Sequence, residues 1–375
     1  MLENEIRLLW LTENYPPQRG GMAQSCDRII RNLRNSGVKI DIVHFTKRNT
    51  SFKITNQVKG TYLNVPFNTD EAHTVNCLWN FIAQEEQYKQ CTHIVAFGGY
   101  LPLLASPVFS KWLSLPLVCL FRGNDFDNAI FSSRKLPILD RAINQASTIA
   151  TVASDMQDKI ELLYPEKKVK FIPNSIESTN WQALKSDYEF AEKFRSKNIV
   201  DSKLTLGLFG HLKAKKGCDF LLKSIAKSGL ADKIHLVIVG ERETHIDTIV
   251  AGYNLNTTFL PFLDRYELIQ YYLACDVIAL PSFYDGMPNV LLEASALGIP
   301  VLASSVGGMR DVLVDIPNSF VFHPGDESSC IETLWRLINT SANDRKKIGL
   351  MQKEVLDSNF TSQHETEAFL SIFKE

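Results

Sequence analysis

The stretch "PSFYDGMPNVLLEASALGIPVLAS" (residues 281–304) sets two carboxylates, Asp285 and Glu293, around the start of an apolar helix. Upstream, "DVIALPS" (276–282) reads as a buried strand; downstream, "IPVLASS" (299–305) reads as the next one. Pro288 falls at the first helical position and Gly298 just past the last, the asymmetry that helix ends prefer. Strand, helix, strand in that order implies a parallel pair joined by a crossover helix. The first N–H groups of such a helix, around Asn289 and Val290, have no intrahelical acceptor, and the helix dipole there favours a phosphate. Glu293 lies just over one turn further in, within reach of two vicinal hydroxyls. Asp285 sits on the other side of the phosphate position, beyond the turn of Gly286, Met287 and Pro288. A sugar–pyrophosphate–nucleoside fits this spacing: ribose on Glu293, pyrophosphate at the helix start, sugar near Asp285.

The same alternation runs through the whole chain. "IRLLWLT" (6–12), "KIDIVHFT" (39–46), "HIVAFGG" (93–99), "LPLVCLF" (115–121) and "ASTIATVA" (146–153) read as short buried strands. Between the first two, Ile29, Ile30 and Leu33 have helical spacing that stops at Gly37. The pattern restarts after "KFIPNSIE" (170–177), where the Pro173–Asn174 break marks a boundary. Strands at 203–210 and 233–240 and helices in "GCDFLLKSIAKSG" and "RYELIQYYLAC" then lead to the opening stretch. The tail from Asn343 reads as two helices interrupted near 359–361. We therefore expect two doubly wound α/β domains, 1–173 with a tail of about 358–375, and 174–357. Ligands of such sheets sit beyond the carboxyl ends of the strands.

Composition narrows the function. With 375 residues the chain is long for one core. A net charge of −2, split as +3 over the first 180 residues and −5 over the rest, argues against a nucleic-acid binder. The seven cysteines are scattered singly, as expected of reduced thiols in a cytoplasmic protein. The opening "MLENEIRLLWL" is acidic where a secretion signal is basic, and no run of about 18 apolar residues exists. A periplasmic-type sugar-binding protein would need such a signal. A nicotinamide dehydrogenase would need G-x-G-x-x-G after a strand, which "VIVGERE" (237–243) and "FGGYLP" (98–103) do not supply. No His or Asp cluster has metal-ligand spacing, so no metal and no cofactor is expected.

The opening stretch resembles the E-x7-E signature of retaining glycosyltransferases of the GT-B fold, glycosyltransferase family 4 in particular, with Asp285 in place of the first Glu and Glu293 matching the second. Further segments are similar to that family. "NYPPQRGGMAQS" (14–25) resembles its Gly-Gly loop, where Gly20 and Gly21 let backbone approach a diphosphate or acceptor. "LFGHLKAKKGCDFLL" (208–222) resembles the segment carrying an Arg and, five residues on, a Lys. Lys216 fits the Lys, and His211 stands where Arg is usual. "FIPNSIE" resembles the interdomain Pro-Asn-Gly segment, with Ser175 for Gly. "SSVGGMRDVL" resembles the Gly-Gly-x-x-Glu continuation, with Asp311 for Glu. In "LFRGNDFD" (120–127), Arg122 replaces the His of a His-Gly-x-Asp motif that borders sugar and acceptor, followed by Asn124 and Asp125. A plain surface pair of Arg122 with Asp125 is the competing reading of that segment.

The resemblance implies a GT-B fold of two Rossmann-like domains facing a cleft, with a C-terminal helix crossing back to the first. It implies a metal-independent hexosyltransferase that takes a nucleotide-diphosphate sugar, UDP- or GDP-linked, and retains anomeric configuration. Asp285 would contact the sugar, Glu293 the ribose and Lys216 the leaving pyrophosphate, while Arg122, Asn124 and Asp125 are acceptor-side candidates. The acceptor is a hydroxyl of a glycan, lipid-linked or small molecule, in polysaccharide or glycoconjugate biosynthesis. A GT-B-fold nucleotide-sugar epimerase and a non-catalytic sugar-nucleotide binding protein are the competing readings. Trp79, Phe109, Trp112 and Phe131 are candidates for an acceptor groove or a peripheral membrane contact at the inner face, against plain core packing.

Overall fold

The computed structural model describes residues 5–18, 20–47, 51–67, 70–199 and 203–374. Residues 1–4 of the acidic opening stretch and Arg19 of the Gly-Gly loop segment lie outside them. The chain divides into two compact units, Met1–Asn174 with Ser362–Glu375, and Ser175–Thr361.

The first unit is built on an eight-stranded sheet: β1 (Arg7–Thr12), β2 (Lys39–Thr46), β3 (Lys53–Gln57), β4 (Gly60–Pro66), β5 (His93–Phe97), β6 (Leu117–Phe121), β7 (Thr148–Thr151) and β8 (Val169–Phe171). Its order is β3-β4-β2-β1-β5-β6-β7-β8. All neighbours are parallel except β3 with β4. The central strands are apolar runs because helices cover both faces. On one face Leu9, Val43 and Phe121 pack with Leu78, Leu101, Phe109 and Leu139 of the helices at Glu71–Gln84, Tyr100–Leu113 and Leu136–Gln145. On the other, Trp10 and Phe97 pack with Ile29, Ile30 and Leu33 of the Gly21–Asn35 helix and with Phe369, Ile372 and Phe373 of the last helix, Ser362–Phe373.

The β3–β4 hairpin is a feature that apolar patterning does not announce. β3 is polar and mostly exposed, as suits an edge strand. Lys59 and Gly60 both have positive φ in its turn, and a Cβ at Gly60 would stand 2.1 Å from the Ile40 carbonyl oxygen.

The second unit holds β9 (Leu204–Phe209), β10 (Ile234–Val239), β11 (Thr257–Leu260), β12 (Val277–Leu280), β13 (Val301–Ser304) and β14 (Phe320–Phe322). The order is β11-β10-β9-β12-β13-β14 and every pairing is parallel. Expected breaks at 173/174 and about 357/358 fall instead at 174/175 and 361/362. Asn174 is held within the first unit by Arg28 and Arg122. Residues Ala342–Asn359 form one continuous helix on the second unit, where Lys353 donates to the Ala296 carbonyl at 2.6 Å. Among the described residues no helix is long and apolar enough to cross a membrane.

Candidate active site

Two loops at the carboxyl ends of β9 and β12 are clamped together in the second unit. Gly217 has φ +63, and a Cβ there would stand 2.0 Å from the Pro281 carbonyl oxygen, so only glycine permits this approach. The Phe283 N–H donates to the Lys215 carbonyl at 3.0 Å. That contact delivers two cations to one carboxylate: the Lys216 ammonium is bonded to Asp285 Oδ2, and Lys215 Nζ lies 3.9 Å from Oδ1. The carboxylate is fixed further by the Gly286 N–H at 3.1 Å and by the Ser282 hydroxyl at 3.5 Å.

A third segment braces the turn. Gly308 donates its N–H to the Gly286 carbonyl at 2.6 Å. A Cβ at Gly307 would lie 2.0 Å from the Asp285 carbonyl oxygen, and one at Gly308 would lie 2.6 Å from the Met287 side chain. Gly307 and Gly308 thus shape the Asp285–Met287 turn, while Asp311 lies further along their helix, Gly307–Leu313.

The following helix runs from Asn289 to Ala296. Pro288 is not its first helical residue, as expected from sequence, but the residue before it, with extended φ −70 and ψ 135. A proline ring fixes φ without demanding helical ψ, so it serves equally at the entry. Gly298 follows the helix at φ +68, in the left-handed conformation that ends helices.

Glu293, in the second turn of that helix, is partly buried. Its Oε2 accepts from the Tyr272 hydroxyl at 2.7 Å. Burial pushes the Glu293 carboxyl up to about 7, against the opposing pull of the Tyr272 hydrogen bond and the Arg265 charge. Tyr272 is fully buried, stacked on Phe209 at 4.3 Å and edge-on to Trp181 at 6.0 Å, and its hydroxyl is raised well above the ordinary range by burial and by Glu293. A buried tyrosine hydroxyl needs an acceptor, but nothing local in the sequence pairs positions 272 and 293.

His211 follows β9, exposed, with Nδ1 3.5 Å from a Glu241 carboxylate oxygen. The loop it occupies is tied to the end of β10: Gly210 donates to Val239 at 2.9 Å and Leu212 to Glu241 at 2.8 Å.

Gly20, Gly21, Arg122, Asn124 and Asp125 lie in the first unit, also after the carboxyl ends of strands. Gly20 precedes the Gly21–Asn35 helix at φ +124, and a Cβ there would meet nothing within 4 Å. Arg122 follows β6 and is 8% exposed. It does not form a surface pair with Asp125: its backbone N–H donates to both Asp125 oxygens at 2.9 Å, while its guanidinium bonds Asn174 Oδ1 and stands 5.8 Å from the Phe97 ring centroid. Burial lowers the Arg122 guanidinium to about 10 and raises the Asp125 carboxyl to about 6. Asn124 is exposed at the start of the same short turn.

Sequence reading misses the partners of this cluster. Arg28 forms a bidentate pair with Glu365 of the last helix at 2.8 and 3.0 Å and donates to Asn174 at 2.8 Å. Glu13, after β1, accepts the Leu101 N–H at 2.6 Å at the start of the Tyr100–Leu113 helix, and burial raises its carboxyl. Among the described residues no group of three or more His, Cys, Asp or Glu side chains could hold a metal ion.

Known proteins share this arrangement of chain. Residues 189–354 match the model of glycosyl transferases group 1, and residues 19–179 match that of Glycosyltransferase Family 4. An uncharacterized glycosyltransferase of Methanocaldococcus jannaschii is 23% identical over 345 residues, 86% of this chain and 87% of that protein. Among solved structures, a sucrose-phosphate synthase from Thermosynechococcus elongatus superposes with a TM-score of 0.81 at 15% identity, covering 99% of this chain and 98% of that one. An Anabaena protein solved with UDP and glucose gives a TM-score of 0.78 at 17% identity, covering 99% and 100%. With two parallel-sheet units of GT-B type and family matches over both, the chain belongs to glycosyltransferase family 4.

Proposed function

We propose that this glycosyltransferase moves a hexosyl-type sugar from a nucleotide-diphosphate sugar, UDP- or GDP-linked, to a hydroxyl of a glycan, lipid-linked or small-molecule acceptor, with retention of configuration and without a metal ion. The observation that carries the reading is the second-unit set: Lys216 bonded to Asp285, and Glu293 eight residues on in the helix that starts after Pro288. The Anabaena neighbour's complex with UDP and glucose supports a donor of this class.

In this reading the ionised Glu293 accepts hydrogen bonds from the ribose hydroxyls, and the diphosphate lies at the start of the Asn289–Ala296 helix. Lys216 passes from Asp285 to the diphosphate as negative charge grows there, an interaction stronger in the transition state than before it. Asp285, released from Lys216, receives sugar hydroxyls. The bond from the anomeric carbon to the phosphate oxygen breaks, and the bond to the acceptor oxygen forms on the same face. The acceptor's proton goes to the departing phosphate oxygen, so no separate base is required. Gly20, Gly21, Arg122, Asn124 and Asp125 are assigned to the acceptor side or the diphosphate's approach. The protein is proposed to work in the cytoplasm, with any membrane contact peripheral and through the first unit.

A thermal-shift screen against UDP, GDP, ADP and their sugars tests the donor assignment. Stabilisation by one nucleoside diphosphate and its sugars supports it; none by any of them removes it. Nucleotide release that requires an added hydroxyl acceptor separates transfer from epimerisation.

A further inference from the structure

On the helical face of the first unit that carries Leu78, Leu101 and Leu139, a cavity of about 650 Å³ opens between the helices Glu71–Gln84, Tyr100–Leu113 and Leu136–Gln145. Its volume lies in the range of small-molecule sites, roughly 300–1,000 Å³. It is remote from the strand ends described above. The Tyr100–Leu113 helix leaves the carboxyl end of β5 and returns to the start of β6, and Leu136–Gln145 likewise ends where β7 begins. Lys111, Trp112, Asn144 and Gln145 therefore stand at the opposite edge of the sheet from Arg122 and Asp125.

The lining has a one-sided chemistry. Trp79 and Trp112, both partly buried, lie 5.5 Å apart at a 46° tilt, and both contact the buried Phe109. Lys111 and Arg141 are exposed, and among the described residues neither has an ion-pair partner. Among the described residues the indole N–H groups of Trp79 and Trp112 have no protein acceptor either. Lysine, arginine and indole are donors only. Asn144 and Gln145 add amides, and no carboxylate lines the cavity. Asp140, beside Arg141 in sequence, accepts from the Tyr164 hydroxyl, and Glu71 pairs with Arg134.

The geometry points to a binding site for an acidic oligosaccharide, a glycan segment carrying carboxylates, held apart from the reaction site. The flat apolar faces of sugar rings suit the partly exposed indoles, and amides suit their hydroxyls. Two uncompensated cations call for ring substituents that accept and never donate. A concave cavity lined by amides receives a chain of sugar rings better than it receives a lipid surface, which is met by protruding apolar side chains. Phe131, which does protrude at 91% exposure, is not part of the cavity.

Calorimetry on the full-length protein tests this with an oligogalacturonate, a neutral malto-oligosaccharide, and phosphatidylglycerol or phosphatidylcholine vesicles. The oligogalacturonate is expected to bind and the malto-oligosaccharide not. Lys111→Gln and Arg141→Gln, both exposed and compatible with folding, should each weaken that binding on the order of tenfold. Glu293→Ala should leave it unchanged, which keeps this site's test separate from that of the nucleotide site. The proposal is overturned by absent oligogalacturonate binding, by equal binding of the neutral sugar, or by binding indifferent to both substitutions. Binding of phosphatidylglycerol vesicles alone, lost in the same variants, would overturn it in favour of a membrane surface.

Discussion

The Tyr272 hydroxyl stands 2.7 Å from Glu293 Oε2 and donates to it, while the tyrosine ring lies stacked on Phe209 at 4.3 Å. The carboxylate is therefore aimed by a side chain that packing immobilises. Burial nevertheless costs the ionised form more than this bond returns, so the carboxyl is raised from 4.5 to about 7.

A pH dependence follows, and its sign differs between folding and binding. Between 4.5 and about 7 the folded domain keeps a proton that the unfolded chain releases. The stability linked to that proton is complete below 4.5 and is lost as pH rises to about 7. Binding runs the other way, because an ionised carboxylate is the better acceptor for ribose hydroxyls. Nucleotide affinity should rise with pH through a midpoint near 7. Tyr272→Phe should move the midpoint up, and Glu293→Gln should abolish it. Calorimetric titrations of nucleotide across neutral pH would show these shifts; a profile identical in all three proteins would reject the role of Glu293.

In the proposed mechanism the charge that Lys216 meets grows only as the glycosidic bond breaks, so Lys216→Ala should lower turnover on the order of 100-fold with a smaller effect on donor KM. Steady-state kinetics decide this. Turnover within a few-fold of the parent enzyme would contradict the assignment.

Gly217→Ala should act on the same site through the backbone. Its Cβ would stand 2.0 Å from the Pro281 carbonyl oxygen at a φ of +63, so the two loops must part. The expected loss is more than about 1 kcal/mol of stability, with turnover reduced because Lys216 is drawn from Asp285. Unfolding by denaturant and kinetics on the same preparation measure both. Gly229→Ala, also at positive φ but with nothing within 4 Å, is a control expected to spare turnover.

The last helix joins the first unit through charge as well as packing. Glu365→Ala leaves the partly buried Arg28 guanidinium with only Asn174 as a partner, so the loss should fall below the roughly 3–5 kcal/mol of a fully buried pair. Deleting residues 362–375 also strips Phe369, Ile372 and Phe373 from the core. Chemical denaturation should show the first loss, and reduced solubility and activity the second. A truncation with normal melting temperature and normal turnover would mean the helix contributes nothing.

Much of this is legible in the chain because the relevant residues lie close in sequence. β1, β2, β9 and β10 are apolar runs buried on both faces, and Asp285 and Glu293 sit eight positions apart on one turn and helix. What cannot be read depends on contacts between distant segments. The β3–β4 hairpin is polar and leaves no apolar run. Tyr272 reaches Glu293 from a neighbouring helix, and Arg28 meets Glu365 across 337 positions. Gly307 and Gly308 are visible as a Gly-Gly pair, but their support of the Asp285 turn emerges only in the tertiary structure. The sequence leaves Arg122 open between an acceptor-side role and a surface pair with Asp125; the second fails, because Arg122 is buried against Asn174 and Phe97.

The most direct test of the donor site is calorimetric titration of nucleoside diphosphate into the parent protein and Glu293→Ala at a pH above the carboxyl's midpoint. Loss of hydrogen bonds to a charged acceptor costs roughly 1.5–3 kcal/mol, so affinity should fall about 10- to 150-fold while the melting transition persists. Unchanged affinity in a folded Glu293→Ala variant, or no binding of UDP, GDP or ADP to the parent protein, would contradict the account.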